Sequence, residues 1–197
     1  EVNSVWEILE GLETYIHSKP LGTFLSKVPS GVIIENPDKV FIGSNVVLEP
    51  GVYIKGAAYI GEGCQVRHGA YLRGNVALEE RSVVGHCSEI KNSLLLPQAH
   101  AAHFNYVGES VLGAFSNLGA GSRCANYRLD QKEIWIRVEE KKIPTGLKKM
   151  GVILGDRSQI GCNAVMSPGT LIGQDVIGYP CVHIRGFIPS GATVQST

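Results

Sequence analysis

The sequence predicts an all-β fold, a parallel β-helix built from six-residue repeats. Aliphatic residues fall at regular six-residue steps at Ile42, Leu48, Ile54, Ile60, Val66, Leu72, Leu78, Val84, Ile90 and Leu96. The fourth residue after most of them is small: Val46, Val52, Ala58, Cys64, Ala70, Val76, Ser82 and Ser88. A helix repeats near 3.6 residues and an ordinary strand at 2, whereas short fixed repeats are typical of a parallel β-helix. We therefore expect the aliphatic side chains to point inward and the small residues to occupy the corners.

The composition gives the chain no net charge that would attract a polyanion or a membrane surface. Lys plus Arg and Asp plus Glu number 18 each over 197 residues, so we expect neither nucleic acid nor a membrane as a partner. No apolar run approaches the roughly 20 residues of a spanning helix. The five cysteines show no CxxC spacing, which predicts a reduced, cytoplasmic protein.

The repeats divide the chain into two parts. Residues 1–28 carry apolar residues at helical spacing after Ser4, a candidate N-cap, and predict a helical cap or linker. Pro20 suggests a second short helix in this part, and the whole piece is expected to cover the open end of the first coil, because solenoid ends need covering. Residues 29–197 are predicted to form the β-helix, interrupted by a protruding arm at 128–150.

The six-residue repeat slips after Leu96. Ala102 holds the next expected position, but Val107 comes one residue early and Leu112 only five residues later, before Leu118 restores the spacing. Irregularities in an otherwise regular chain concentrate at functional sites. The polar residues around the slip are therefore the first candidates for chemistry.

His103 is the leading candidate, because it follows Ala102 and is expected to point outward. An imidazole titrates near neutrality and can serve as a general base, although an ordinary surface histidine is the alternative. Arg67, Arg73 and Lys91 each follow an inward position. They could clamp a phosphate, or they could simply belong to a solvated face.

Two weaker hypotheses concern a metal and a glycine-rich corner. His86, His103 and His100, the last in a corner position, could bind zinc between subunits of a trimer, but no supporting acidic residue accompanies them and no metal is expected. The segment 119–121, Gly-Ala-Gly, could offer backbone amides to an oxyanion or to a pantetheine carbonyl. A plain glycine-rich corner is the alternative.

A family resemblance is carried by the segments EIKNS, AHFNYVGES, SNLGAGS, ANYRLD, TGLKKMGVILGD and GCNAVMSPG. In this order and spacing, over most of residues 30–180, they resemble the C-terminal left-handed β-helix domain of bifunctional sugar-1-phosphate nucleotidylyltransferase/acetyltransferases. The resemblance implies acetyl transfer from acetyl-CoA to the amine of an amino-sugar 1-phosphate, typically glucosamine 1-phosphate, in UDP-N-acetylglucosamine synthesis. It also implies a homotrimer that closes its sites between neighbouring prisms.

The resemblance further implies roles for individual residues. These are His103 as general base; Tyr106 and Asn117 in orienting substrate or supporting the histidine; Arg67 and Lys91 at the sugar phosphate or nucleotide; Asn126 and Lys132 at the sugar; and Ala120 and Cys162 along the acetyl-CoA groove.

The chain also departs from the family pattern. The nucleotidylyltransferase domain of the family has no counterpart in these residues, which makes a separate nucleotidylyltransferase a candidate partner. Trp135 stands where relatives with a longer arm often carry lysine. The main alternative is a non-catalytic trimeric subunit that binds a sugar nucleotide or a nucleotidylyltransferase, docking through the helix with Trp6 and Tyr15. A metal-dependent lyase or hydratase is a third hypothesis.

Overall fold

In the computed structural model, which describes residues 4–138 and 140–196, the chain winds into a three-sided, left-handed parallel β-helix. Three eight-stranded sheets form the sides, and each strand pairs in parallel with the strand one coil later. The fold class predicted from the repeats is confirmed.

The strands are distributed over the three sheets in strict rotation. The first sheet contains β1 (Ile33–Glu35), β4 (Tyr53–Lys55), β7 (Tyr71–Arg73), β10 (Glu89–Lys91), β13 (Tyr106–Gly108), β16 (Arg123–Cys124), β21 (Val165–Met166) and β24 (His183–Ile184). The second contains β2 (Val40–Ile42), β5 (Ala58–Ile60), β8 (Val76–Leu78), β11 (Ser93–Leu95), β14 (Val111–Leu112), β19 (Val152–Leu154), β22 (Thr170–Ile172) and β25 (Phe187–Ile188). The third contains β3 (Val47–Leu48), β6 (Gln65–Val66), β9 (Val83–His86), β12 (His100–His103), β15 (Asn117–Leu118), β20 (Gln159–Ile160), β23 (Ile177–Gly178) and β26 (Thr193–Val194).

The core is a continuous column of aliphatic side chains inside the prism. Every predicted inward residue from Ile42 to Ile90 is buried in one cluster. Because a coil of 18 residues contains three six-residue repeats, Leu48 stacks under Val66 and Val66 under Val84. Burial of this apolar surface is the main favourable term in folding.

The slip in the repeat lies earlier than the sequence indicated. Leu95, and not Leu96, is fully buried and pairs with Leu78 below and Leu112 above. Likewise Ala101 points inward in place of Ala102. The expected positions of Leu96 and Ala102 were therefore wrong by one residue, because the first five-residue step falls between Ile90 and Leu95.

This shift changes the placement of two histidines. His103, the last residue of β12, lies two residues beyond the inward Ala101, where the strand reaches the corner, and its side chain is exposed. Its outward direction is thus as predicted, although the reason given for it was wrong. His100 does not occupy a corner position, which Ala99 fills, but lies half-buried on the outer face of the third sheet.

The N-terminal helix α1 (Glu7–His17) lies along a side of the prism and does not cover its end. Its buried residues Leu12 and Ile16 pack on Ala57 and Ala77, while Leu9 packs near Val111 further along the second sheet. Ser4 is not the N-cap; that position is Trp6, and Ser4 contributes only its carbonyl, which accepts the Glu7 N–H at 3.0 Å.

The open end of the first coil is covered by the segment after α1. Phe24 forms a parallel bridge with Ile42, and the Leu25 N–H donates to the Ile42 carbonyl at 2.8 Å. The predicted second helix is not formed here, because this extended backbone satisfies the exposed edge of β2 directly. A short 3₁₀ turn, Pro37–Lys39, precedes β2.

The arm leaves the prism after β16 as an antiparallel hairpin of β17 (Trp135–Val138) and β18 (Lys141–Pro144). Its alternate residues Ile134 and Ile136 are buried against Met150 and Leu171, in the cluster that also receives the α1 side chains. The two-residue alternation in the sequence thus reflects one face packed on the second sheet and one face in solvent.

The register can be tested with two neighbouring leucines. We expect Leu95→Ala to lower the free energy of unfolding by about 2–5 kcal/mol, because it empties a fully buried site. Leu96→Ala, beside α1 at a half-buried position, should cost about 1 kcal/mol or less. Denaturant unfolding of both variants measures the difference, and the opposite ranking would restore Leu96 to the core.

Candidate functional site

One corner of the prism, between the third and first sheets, stacks the predicted base on the predicted cofactor residues. The Phe104 N–H donates to the His86 carbonyl at 2.9 Å, and the Gly121 N–H donates to the His103 carbonyl at 2.9 Å. The same pattern continues from Asn163 to the Ala120 carbonyl at 2.8 Å. The residues stacked in this way form what we call the His103 column: His68, His86, His103, Ala120 and Cys162.

His103 itself is held through its backbone and left free at its ring. Its N–H donates to the Asn105 side-chain Oδ1 at 3.0 Å, and its carbonyl accepts from Gly121. Among the described residues, no hydrogen bond within the chain engages the imidazole, which is exposed at the corner. An exposed imidazole without a partner in the chain is free to accept a proton from a bound substrate.

Below His103 the side chains of the column are aromatic rings in contact with one another. The His68 and His86 rings stack with centroids 5.2 Å apart, and the edge of Phe104 meets the His86 ring at 5.1 Å. The His86 Nδ1 lies 3.0 Å from the His68 carbonyl, which assigns the proton to that nitrogen. Within the described part of the chain, no group of three His, Cys, Asp or Glu side chains is arranged to hold a metal ion.

Three predicted substrate residues meet at a second corner, around a carboxylate that the sequence analysis did not single out. Glu109 is ion-paired with Lys91 through one oxygen and accepts from the Asn126 side-chain amide through the other. Asn126 also donates to the Tyr106 hydroxyl at 3.1 Å. Burial raises the pKa of Tyr106, and the neighbouring Glu109 carboxylate raises it further, so this hydroxyl stays protonated at neutral pH and can donate.

Gly108 makes this cluster possible. A Cβ at this position would lie 2.6 Å from the Asn126 Nδ2 and 2.7 Å from the Tyr106 Oη. Any other residue would therefore push both side chains off the sheet. The glycine of the VGES segment is explained by packing of the two polar groups over its backbone.

The structure separates Arg67 from Lys91, which the sequence analysis grouped at one phosphate. Arg67 lies on the third sheet, where it donates to the Gln65 Oε1 at 2.9 Å. Arg73, the other arginine considered from the sequence, lines one cavity with Lys91 and Glu109 at the edge of the first sheet and is paired with Glu89 at 2.8 Å.

The third sheet carries its own polar patch. Asn117 is the direct neighbour of His100 on the next coil. Burial lowers the pKa of His100, and the positive charge of Arg67 lowers it further, so the two side chains lie within electrostatic range of each other. Arg67 and Asn117 thus share a face that points away from the Tyr106 cluster.

Lys132 lies apart from both groups, at the base of the arm. It is exposed and lines a small cavity with Arg128, Asp130, Trp135 and Lys142. The Lys142 ammonium sits 4.9 Å from the centroid of the Trp135 ring. Asn126 and Lys132, which were predicted together at the sugar, therefore lie in different places within one chain.

Comparison with known proteins places the chain in a family. Residues 54–190 match the family described as the GMPPB C-terminal domain. The chain belongs to this family.

Individual relatives of this member of the GMPPB C-terminal domain family confirm the resemblance that its sequence segments carry. It is 33% identical over 184 residues to a bifunctional sugar-1-phosphate nucleotidylyltransferase/acetyltransferase of Sulfurisphaera tokodaii, covering 91% of the chain and 44% of that protein. It is 34% identical over 160 residues to the uncharacterized acetyltransferase YaiX of Escherichia coli, covering 81% of the chain and 70% of that protein. The chain thus spans less than half of the bifunctional relative.

The fold is shared with solved acyltransferases. An Arabidopsis UDP-N-acetylglucosamine acyltransferase superposes with a TM-score of 0.58 at 14% identity, over 85% of this chain and 65% of that one. The left-handed β-helix predicted from the sequence is thus also the fold of this solved acyltransferase. No described helix has the length and apolarity needed to cross a bilayer.

The position of Arg67 can be tested through its neighbour. We expect Arg67→Gln to raise the pKa of His100, because removing a positive charge makes protonation of that imidazole easier. Histidine proton signals followed by NMR against pH measure this shift, with His100→Asn to assign the signal. Arg81→Gln, at another corner, is the matched control. An equal shift of the His100 pKa in that variant would contradict the position of Arg67 near His100.

The organising role of Glu109 can be tested by stability. We expect Glu109→Ala to lower the free energy of unfolding by roughly 1–3 kcal/mol, because it leaves Lys91 and Asn126 without their buried partner. Adding Lys91→Met should recover part of the loss by removing the uncompensated charge. Glu80→Ala, at an exposed glutamate, is the control. An equal loss of unfolding free energy in that variant would contradict an organising role for Glu109.

Proposed function

We propose that the chain is an acetyl-CoA-dependent N-acetyltransferase that acts on an amino-sugar 1-phosphate, with glucosamine 1-phosphate the favoured acceptor. The observation that carries the proposal is the His103 column, in which an unengaged imidazole lies one coil below Ala120 and two below Cys162. The family and its acetyltransferase relatives support the reaction class.

His103 would act as general base. The neutral imidazole accepts a proton from the sugar amine as the nitrogen attacks the thioester carbonyl, and the carbonyl oxygen takes up negative charge. Collapse of the tetrahedral species breaks the carbon–sulfur bond and releases the CoA thiolate, which takes the proton from the His103 imidazolium and so returns the base to its neutral form. The small side chain of Ala120 leaves the backbone open to the acyl donor, and its N–H would stabilise the oxyanion, since the N–H groups of Gly119 and Gly121 already donate to the Ile160 and His103 carbonyls.

The acceptor would bind through the first-sheet cluster. Tyr106 and Asn126 offer hydrogen bonds to sugar hydroxyls, while Lys91 and Arg73 supply positive charge in one cavity. Both cations already have carboxylate partners in Glu109 and Glu89. A bound phosphate would therefore have to replace these two carboxylates as the partner of the cations. Only an anion whose geometry suits both Lys91 and Arg73 would do so, which makes the site selective.

The distribution of the residues over two faces supports a homotrimer. Arg67 and Asn117 on the third sheet cannot reach a ligand held on the first sheet of the same prism, because the two faces point in different directions. A second prism docked at the corner would bring its third sheet, or its Lys132, to that ligand. The shared site of the trimer would then contain all the residues assigned from the resemblance.

The test is release of CoA thiol from acetyl-CoA in the presence of glucosamine 1-phosphate. We expect His103→Ala to lower kcat by about 10²–10⁴-fold, the usual contribution of a general base. His17→Ala, an exposed histidine on α1, is the matched control and should leave kcat unchanged.

Two outcomes would contradict the proposal. Full activity of His103→Ala would show that His103 is not the general base. Absence of turnover with both glucosamine and galactosamine 1-phosphate would show that the chain does not catalyse this reaction. Tight binding of a sugar nucleotide without turnover would then favour the non-catalytic subunit.

A further inference from the structure

Asn105 stands out among the residues that turn this corner of the prism. In each coil, the residue that follows the left-handed corner residue fills a small inward position, which is buried in every coil but the first. The equivalents of Asn105 in the other coils are Val32, Val52, Ala70, Ser88, Ser122, Ala164 and Val182. Among the described coils, only the one that carries His103 has an amide there, and Asn105 is 2% exposed.

The buried amide joins the two coils on which the proposed chemistry depends. Its Oδ1 accepts the His103 N–H at 3.0 Å, and its Nδ2 donates to the Gly119 carbonyl at 2.8 Å. A longer contact of 3.4 Å reaches the Ser122 carbonyl. Because the Gly121 N–H also holds the His103 carbonyl, the peptide of His103 is fixed from both sides to the segment 119–121.

The coil above shows what a smaller side chain does in this position. The Ser122 hydroxyl donates to the Gly161 carbonyl at 2.9 Å, the counterpart of the Asn105 contact with Gly119. Within the described residues, Ser122 makes no bond to the N–H of Ala120, which is the counterpart of His103. A serine hydroxyl thus bonds to the next coil, as the Asn105 amide does. The amide makes an additional hydrogen bond to the backbone N–H of the candidate base.

We propose that Asn105 is a positioning residue that sets the His103 imidazole against the acyl donor bound at residues 119–121. This inference rests on the proposed function. An amide carries both an acceptor and a donor, so one rigid group spaces the two coils. Burial excludes competing water from both bonds, which makes the spacing firm. A displacement of the base by about 1 Å can cost about 100-fold in rate.

The test is Asn105→Ser, which places in this coil the residue that Ser88 and Ser122 already provide in its neighbours and therefore fits the fold. We expect kcat for acetyl transfer to fall about 10- to 100-fold, with KM for the amino sugar changed less than about twofold, since no substrate contact is lost. Ser158→Ala is the control: it removes a buried hydroxyl that donates to the Gly173 carbonyl at 2.8 Å at another corner, and should leave kcat unchanged.

Two further measurements separate positioning from a structural effect. In a His103→Ala background, Asn105→Ser should cause no further loss of kcat, because it acts through the imidazole. Hydrogen exchange of the peptide that contains the His103 N–H should accelerate in Asn105→Ser even where no substrate is present.

The outcomes distinguish this inference from the proposed function. A wild-type chain that transfers acetyl groups, together with an Asn105→Ser variant of equal kcat or unaltered exchange, overturns the inference alone. A full additional loss in the His103→Ala background also overturns it. A wild-type chain with no transfer overturns the proposed function, and the catalytic role of Asn105 falls with it.

Discussion

The parallel hydrogen bonding of each coil to the next is the interaction on which the rest of the structure depends. A strand of two or three residues cannot form alone, and only stacking on its neighbour gives it partners. Stacking then forces residues with equivalent positions into columns, whether they are aliphatic, small or polar. The core and the His103 column are therefore products of one constraint. The same ladder that buries Leu72 against Ile54 also sets His103 beneath Ala120.

Coil length decides what each column contains. The coils that lead to β11 and β14 are one residue shorter than their neighbours, because Leu95 and Leu112 each follow a five-residue step. The first missing residue lies in the step from Ile90 to Leu95, ahead of the candidate base. Next to that base, the backbone of Ala102 lies so close to Gly85 that a Cβ on the glycine would be 1.6 Å from the Ala102 carbonyl oxygen. Regular stacking continues on either side.

The sequence determined the fold almost completely, since periodicity is a property of the chain itself. It located the irregular region but not its first residue, because three consecutive leucines at 94–96 satisfy either register and only pairing with Leu78 decides between them. The separation of Arg67 from Lys91 within one prism was not predicted for a related reason. Position after an inward residue indicates that a side chain points outward, but not which of three faces it lies on.

Glu109 and Asn105 were harder still to predict as organising residues. Both lie within a segment that the sequence analysis quoted, but their importance comes from contacts across coils that no local spacing encodes. Glu109 has a left-handed backbone and is buried, whereas a glutamate in a polar segment is expected in solvent. The signal available for Asn105 was that an amide replaces valine, alanine or serine at a position 17 residues after Ser88. The position of α1 was also not encoded locally, since an amphipathic helix can bury its apolar stripe against an end or a flank.

The placement of α1 changes how such a stack behaves as a whole. In a plain solenoid each coil touches only the next, so the ends can fray while the centre persists. Here an 11-residue helix, about 16 Å long, lies across several strand spacings of about 4.8 Å each. Its residues share one hydrophobic cluster with Ala77 near one terminus and another with Val111 and Ile153 near the other. The helix therefore links coils that are not neighbours, and the loss of one coil is felt by others several steps away. An assembly built from local contacts thereby gains the cooperativity of a globular domain.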